Sequence, residues 1–526
     1  MAVKRGETPV DDSLDLMQRI TQNALLLGDK RCIDSVDQQK SISYGEFYRC
    51  CSQIANFLVE QGVGRGDIVS LIGRNSIEVL LIYFGTILSG AVISPINVDE
   101  SEENIRHILQ FVRPKWVLRD AGVPAEACRV EGAAVASFSS FDDEEGRPPD
   151  DFFSAVQACS GQFEGPPPGE DDLAAVAFTS GTTSTPKGVC FTRRQLYLEG
   201  LELVDKLGMD AQDVLLEYRN YNWMSAQTLA ILPSMIAGAT LVLARKFSRS
   251  RFPRWLMEKD VTIAAGVPTV INILASDPVP LTKDDVPRLR FMTSSSAPLS
   301  VERQRAFEAC YGIPILQMAG MTEAGFMLGS PPEAPRFGSA GTPCRYKDIF
   351  FVDDNDQRCP VGQQGHMVVA GPSIALGYLQ ADGTIERFPA SGLRTGDLGH
   401  VDQDGYVYIT GRAKDLIIRG GVNISPVEIT NRVMTHPQVL DAATVGIPDP
   451  VYGEAVACFV VARGGDALSP QDVAAHCRET LPDFKVPKQV FFVDRIPKNS
   501  RGKVAKESLL GLLAATADEG CAALSH

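Results

Sequence analysis

Residues 44–73 read YGEFYRCCSQIANFLVEQGVGRGDIVSLIG. Apolar residues recur at helical spacing up to a glycine stop at Gly62, and DIVSLIG then reads as a strand. The next stretch, VLLIYFGTILSGAVISPINV (79–98), is a long uncharged run. Its length approaches a membrane span, but Gly85, Gly90 and Pro95 divide it into a buried helix, a turn and a short strand. Helix and strand therefore alternate, which predicts an α/β architecture with largely parallel sheets.

Working outward, 526 residues are too many for one ordinary core and predict two or more domains. The apolar fraction of 44% with 22% charged residues is that of a globular protein, not a disordered or fibrous one. Sixty-five acidic against 50 basic residues give a net charge of −15, which disfavours a nucleic-acid partner. The 12 cysteines form no C-x-x-C pair, and the six histidines no H-E-x-x-H, so a zinc-type site has little support. The cysteines read as buried thiols of a reducing compartment. MAVKRGETPVDDSLDL at the start lacks the apolar core of a signal peptide, so the expected location is cytoplasmic, with no integral membrane segment.

An acidic, proline-rich tract over 141–172, FDDEEGRPPDDF through FEGPPPGEDD, reads as an exposed connector. Directly after it, LAAVAF (173–178) reads as a buried strand that delivers FTSGTTSTPKGV (178–189) to a sheet edge. Glycines let that loop turn its N–H groups one way, Thr and Ser add short hydroxyls, and Lys187 adds a positive charge. Two readings fit: a cradle for a polyphosphate, and a Ser/Thr-rich surface turn. The spacing is not that of G-x-x-x-x-G-K-[ST], because Pro186 separates Thr185 from Lys187, so a kinase-like reading loses its support.

Further along, ATLVLARKF (239–247), VTIAAGVPTVINIL (261–274) and LRFMTSSSAPLS (289–300) each run from an apolar segment into small or polar residues. In open α/β sheets ligands gather at the carboxyl ends of strands, so these junctions are expected to wall one site. After about residue 343 short strands and tight turns predict a β-rich subdomain, and alternation returns over the last hundred residues.

Three more stretches, QMAGMTEAG (317–325), RTGDLGHVDQDGYVYITGRAKDLIIRGGVNISPVEI (394–429) and PKNSRGKVAK (497–506), follow the loop in a specific order. With them the chain resembles, over nearly its whole length, the adenylate-forming superfamily of acyl-CoA synthetases, peptide-synthetase adenylation domains and beetle luciferases. The resemblance implies a large N-terminal domain (1–413) of two parallel-type sheets and a β-rich subdomain. It also implies a small mobile C-terminal α/β domain (414–526), with the site between the two. It further implies a carboxylic acid–CoA ligase: a carboxylate attacks the α-phosphorus of ATP to give acyl-AMP and pyrophosphate, and CoA then displaces AMP. The partners implied are a small-molecule acid, ATP, magnesium and CoA, in a monomer or homodimer. The alternatives are an acyl-AMP ligase that loads a carrier protein and a non-catalytic nucleotide-binding regulator.

By the same resemblance Thr179, Ser180, Gly181, Thr182, Thr183 and Lys187 hold the β- and γ-phosphates. Ser184 replaces the usual glycine, as in a carnitine and crotonobetaine ligase branch. Thr322 meets the α-phosphate, Glu323 binds the metal, Asp397 and Arg412 hold the ribose, and Ala297, Pro298, Gln317 and Met318 face the adenine. Lys503 is the catalytic lysine and Lys414 the hinge. Lys246, Gly420 and Gly421 fall at CoA-contacting positions. The acyl pocket draws on Tyr221, Asn222, Trp223, Gln227, Ser295, Ser296, Ala319 and Gly320. Asn222 stands where many CoA ligases have histidine, and it supplies no charge for an amino-acid ammonium. Arg219 has two open readings, a partner for a second carboxylate or a surface ion pair.

Overall fold

The computed structural model describes residues 12–140, 151–166, 168–179, 187–464, 468–498 and 504–517. A nine-stranded sheet runs in the order Thr342–Pro343, Gly325–Gly329, Ile315–Met321, Phe291–Ser294, Ile263–Ala264, Val214–Glu217, Thr240–Leu243, Arg31–Ser35 and Lys40–Ser43. Its middle, from Ile315–Met321 to Arg31–Ser35, is parallel throughout, so those strands end on one edge. An eight-stranded sheet has five parallel neighbours, from Ala134–Phe138 through Trp116–Asp120, Ile68–Ile72 and Val92–Ile96 to Leu173–Thr179. It continues antiparallel through Lys187–Thr192, Gly377–Leu379 and Ile385–Arg387. Asp348–Val352, Gly365–Ala370, Leu393–Val401 and Val407–Arg412 form a separate antiparallel sheet. A further sheet and two hydrophobic clusters use residues from Ile417 onward only. The α/β class and the β-rich segment expected from the sequence are both present.

The opening stretch folds as read. Ser43 caps the helix Tyr44–Glu60, accepting from the Glu46 N–H while the Glu46 carboxylate returns to the Ser43 N–H. The uncharged run forms all but the first two residues of the helix Ile77–Leu88, which is wholly buried, and then the strand Val92–Ile96. Gly85 does not break that helix. A Cβ there would lie 2.8 Å from the Ile54 side chain and 3.0 Å from the Cys51 carbonyl, so its missing side chain lets the two helices pack closely.

Two expectations are corrected. The strand Leu173–Thr179 is not at an edge: it pairs on one side with Val92–Ile96 and on the other with Lys187–Thr192, so the two strands flanking the loop lie inside the sheet. The connector is not exposed throughout, because Phe152 and Val156 join the main core and Phe152 meets Phe57 edge-on at 5.4 Å. Its aromatic residues outweigh the acidic composition around them.

Gly85→Ala is expected to overpack the helix pair and cost about 1–3 kcal/mol. A lowered urea midpoint checks this; an unchanged midpoint means the two helices have room to part.

Candidate functional site

The loop hairpin sets out the first group of residues. Thr179 pairs with Lys187 where the two strands of the hairpin meet the loop; Ser180, Gly181, Thr182, Thr183 and Ser184 lie outside the described residues, as does Lys503. On its other side, the strand bearing Lys187 pairs with Gly377–Leu379, with Tyr378 opposite Val189. The Lys187 ammonium then lies 4.8 Å from the centre of the Tyr378 ring, a cation–π contact. The Tyr378 hydroxyl donates to Glu323 Oε1 at 2.7 Å, and the Ala375 N–H donates to the Glu323 carbonyl at 2.9 Å. Burial, then the bond to Glu323, pushes the Tyr378 hydroxyl well above the ordinary phenol range. Lys187 and Glu323, distant in sequence, are thereby joined through one phenol.

Thr322 and Glu323 stand on a single turn, Thr322–Ala324, between the antiparallel strands Ile315–Met321 and Gly325–Gly329. Gly320 sits where a Cβ would meet the Gly325 carbonyl at 2.1 Å, so only glycine lets this hairpin close. Gln317, in register with Ser294, donates from Nε2 to the Leu299 carbonyl at 3.3 Å and to Gln304 Oε1 at 3.1 Å. This brings the loop bearing Ser295, Ser296, Ala297 and Pro298 beside Gln317, while Met318 is buried and Ala319 is half-buried. Ser296 has φ 75°, a left-handed conformation that a non-glycine residue adopts at a cost and that recurs at ligand sites.

Asp397 and Arg412 face each other across adjacent strands, with Arg412 Nε 3.0 Å from Asp397 Oδ1. Val407 and Ile409 of that sheet pack in one cluster with Ala324, Met327 and Ala319, so the pair and the Glu323 turn share one apolar support.

The acyl segment departs from its expected form. Tyr221 is wholly buried and its hydroxyl donates to the Leu71 carbonyl at 3.0 Å, so it is core and not a wall. Gln227 is buried too, accepting from the Tyr83 hydroxyl at 2.8 Å and donating to the Tyr221 carbonyl at 3.0 Å. Arg219 is neither free nor at the surface: it forks onto Glu217 at 2.5–3.1 Å and donates to Ser295 Oγ at 2.9 Å. Asn222 Oδ1 and Trp223 Nε1 are buried atoms without a hydrogen-bond partner among the described residues. A buried donor or acceptor left unpaired costs about 1–3 kcal/mol, so each of these atoms would gain from a polar partner.

Lys246 is exposed, and Lys414 is exposed on the turn Ala413–Asp415. Gly420 and Gly421, at φ 58° and 81°, form the tight turn between Ile417–Arg419 and Val422–Ile424. Among the described residues, a Cβ at Gly420 would approach only Tyr452 and one at Gly421 nothing within 4 Å, so this turn is not gathered against the acyl segment. Sequence reasoning missed Tyr378, which follows Gly377 in the unremarkable ALGYL; a hairpin signal in LQADGT beyond it was the available clue. It also missed Asn75, whose amide donates to the Arg219 and Ala244 carbonyls and accepts from the Tyr221 N–H, pinning the acyl segment.

The AMP-binding enzyme family matches residues 20–379, and the AMP-binding enzyme C-terminal domain matches 428–503. The chain belongs to that family, the adenylate-forming acyl-CoA synthetases. It is 34% identical to a sulfoacetate–CoA ligase of Cupriavidus necator, over 96% of this chain and 99% of that one. It is 30% identical to an oxalate–CoA ligase of Arabidopsis thaliana, over 91% and 94%. The crystal structure of ATP-bound MatB from Rhodopseudomonas palustris superposes with a TM-score of 0.87 at 30% identity, over 95% of this chain and 99% of that one.

Tyr378→Phe removes a hydrogen bond to a charged carboxylate and is expected to lower kcat/KM for ATP by about tenfold, with little change in melting temperature. Unchanged ATP kinetics in pyrophosphate exchange would show that Glu323 needs no such hold.

Proposed function

We propose that this AMP-forming acid–CoA ligase activates a small organic acid carrying a second hydrogen-bonding group. The observation that carries the substrate class is the pair of unsatisfied buried atoms, Asn222 Oδ1 and Trp223 Nε1, at the head of the helix segment Met224–Ala226. An indole N–H donates to an anionic or carbonyl oxygen, and an amide oxygen accepts from a hydroxyl or amine. With Arg219 committed to Glu217, a second anion on the substrate is met by neutral donors and not by a guanidinium. The acids in the names of the two relatives above, sulfoacetate and oxalate, each carry such a second polar group, which supports the reading.

In the first half-reaction the acid's carboxylate attacks the α-phosphorus of ATP, and pyrophosphate leaves. Thr179, Ser180, Gly181, Thr182, Thr183 and Lys187 hold the leaving phosphates, Thr322 meets the α-phosphate, and Asp397 with Arg412 holds the ribose. Ala297, Pro298, Gln317 and Met318 wall the adenine. Glu323 is a half-buried, hard carboxylate with one oxygen on Tyr378, a donor that suits magnesium, which takes one or two carboxylates beside phosphate oxygens. Magnesium, when bound there, neutralises phosphate charge as pyrophosphate departs. Lys503 offsets the crowding of the substrate carboxylate against the α-phosphate.

In the second half-reaction CoA displaces AMP. We place the hinge at Lys414, between domains 1–413 and 414–526; the separate hydrophobic clusters beyond Ile417 support a unit able to move by itself. Rotation there withdraws Lys503 and carries Gly420 and Gly421 toward the thiol, while Lys246, on the larger domain, meets the CoA phosphates.

Acid-dependent AMP release, with and without CoA, across monocarboxylic, dicarboxylic, sulfonated, hydroxylated and aromatic acids tests the substrate class. Preference for acids with a second polar group is expected; preference for plain aliphatic acids overturns it, and exchange without CoA turnover points to a carrier-protein thiol. Lys503→Ala is expected to lower adenylation by about 10²–10³ while sparing thioester formation from supplied acyl-AMP. Equal losses in the two half-reactions would contradict its role.

A further inference from the structure

Behind the Glu323 turn lies a charged cluster sealed from solvent. The helix Arg193–Leu207, capped at Thr192 with a reciprocal Gln195 bond, carries Glu199 and Glu202 on one buried stripe. Lys347 reaches both: its Nζ is 2.7 Å from Glu199 Oε1, 2.9 Å from Glu202 Oε1 and 2.5 Å from Ser373 Oγ. All three charged side chains have 0% exposure.

Such a cluster is poorly explained by stability alone. Desolvating three charged groups costs several kcal/mol per ion, and well-packed apolar residues of similar volume often do as well. Two acids on one base also leave a carboxyl in excess. Burial and then the Glu199 charge push the Glu202 carboxyl far above its ordinary range; burial works to lower Lys347, but its acidic partners, Glu199 first, hold it above its ordinary range.

What the cluster touches gives it direction. Glu199 Oε2 is pressed against Gly325, where a Cβ would lie 1.6 Å from it; Gly325, at φ 52°, ends the turn that carries Thr322 and Glu323. On the other side Ser373 opens the segment whose Ala375 N–H and Tyr378 hydroxyl both bond to Glu323. Two lines of contact therefore leave Lys347 and converge on Glu323, one through Glu199 and Gly325, the other through Ser373, Ala375 and Tyr378.

We propose that Lys347, Glu199, Glu202 and Ser373 are positioning residues that set the Thr322–Ala324 turn and aim the Glu323 carboxylate at a nucleotide-bound divalent cation. This rests on Glu323 being the cation ligand. An outer support of this kind acts through orientation, and its loss is read in metal affinity more than in nucleotide affinity.

The test measures Mn2+ bound in the presence of ATP and absence of acid, by the electron paramagnetic resonance of free Mn2+, and AMP affinity without metal by calorimetry. The variants are Lys347→Met combined with Glu199→Gln, which removes one opposite pair of charges at nearly constant shape, Ser373→Ala, and Glu323→Gln. Mn2+ affinity is expected to fall about tenfold or more in Glu323→Gln and about tenfold in the double variant, with a smaller fall in Ser373→Ala. AMP affinity should hold in all three. Unchanged Mn2+ affinity in Glu323→Gln overturns the cation reading itself. Loss there with parental affinity in the cluster variants overturns the positioning role, even if they melt at lower temperature. Should the double variant not fold, Ser373→Ala is judged by the same criterion.

Discussion

Lys187 and Tyr378 meet because the strand Lys187–Thr192 is gripped on both sides, by Leu173–Thr179 and by Gly377–Leu379. In antiparallel pairing side chains alternate between faces, so a slip of one residue would turn Tyr378 away from both Lys187 and Glu323. Packing resists that slip: Gly188 faces Val176 and Leu379 so closely that a Cβ there would approach Val176 to 2.9 Å. The register of three short strands thus determines whether the Lys187 ammonium, the phenol and the Glu323 carboxylate occupy one place. The buried lysine behind the turn adds a second constraint, because its three partners come from a helix and from a loop that the strand register alone does not control.

The nine-stranded sheet contributes a different kind of order. Its parallel middle strands end together, and Gly266 lets two of those ends close up: a Cβ there would lie 2.2 Å from the Thr293 carbonyl. The Ser295 N–H then donates to the Gly266 carbonyl, and the strained Ser296 follows. Asn75, in the bend between the strand Ile68–Ile72 of the other sheet and the helix Ile77–Leu88, spans across to Arg219, Tyr221 and Ala244. The acyl segment is therefore suspended between the two sheets by hydrogen bonds to its backbone, which leaves Asn222 and Trp223 to differ in chemistry without disturbing the frame.

Arg219 illustrates why charge in a sequence is a poor guide to its use. A lone arginine beside an acyl motif invites a role in binding a second carboxylate, yet Glu217 two residues earlier takes the guanidinium in a fully buried fork. In a site this dry an unpaired guanidinium would be costly, and the nearest carboxylate on the same strand end satisfies it first.

The α/β class, the helix–strand alternation of residues 44–98 and the motifs that carry the family resemblance were legible in the sequence. Each is local: periodicity, glycine stops and short ordered motifs lie within a few residues of one another. The interior placement of the 173–192 hairpin, the burial of Tyr221 and Gln227, the Tyr378 link and the Lys347 cluster were not legible. Each depends on partners tens to more than a hundred residues apart, brought together only when strands pair and helices bury a face. Sequence by itself determined which chemical groups the protein has for activating an acid; tertiary structure alone decided which of them face a ligand and which are spent holding the others, because burial and strand register are properties of the packed chain.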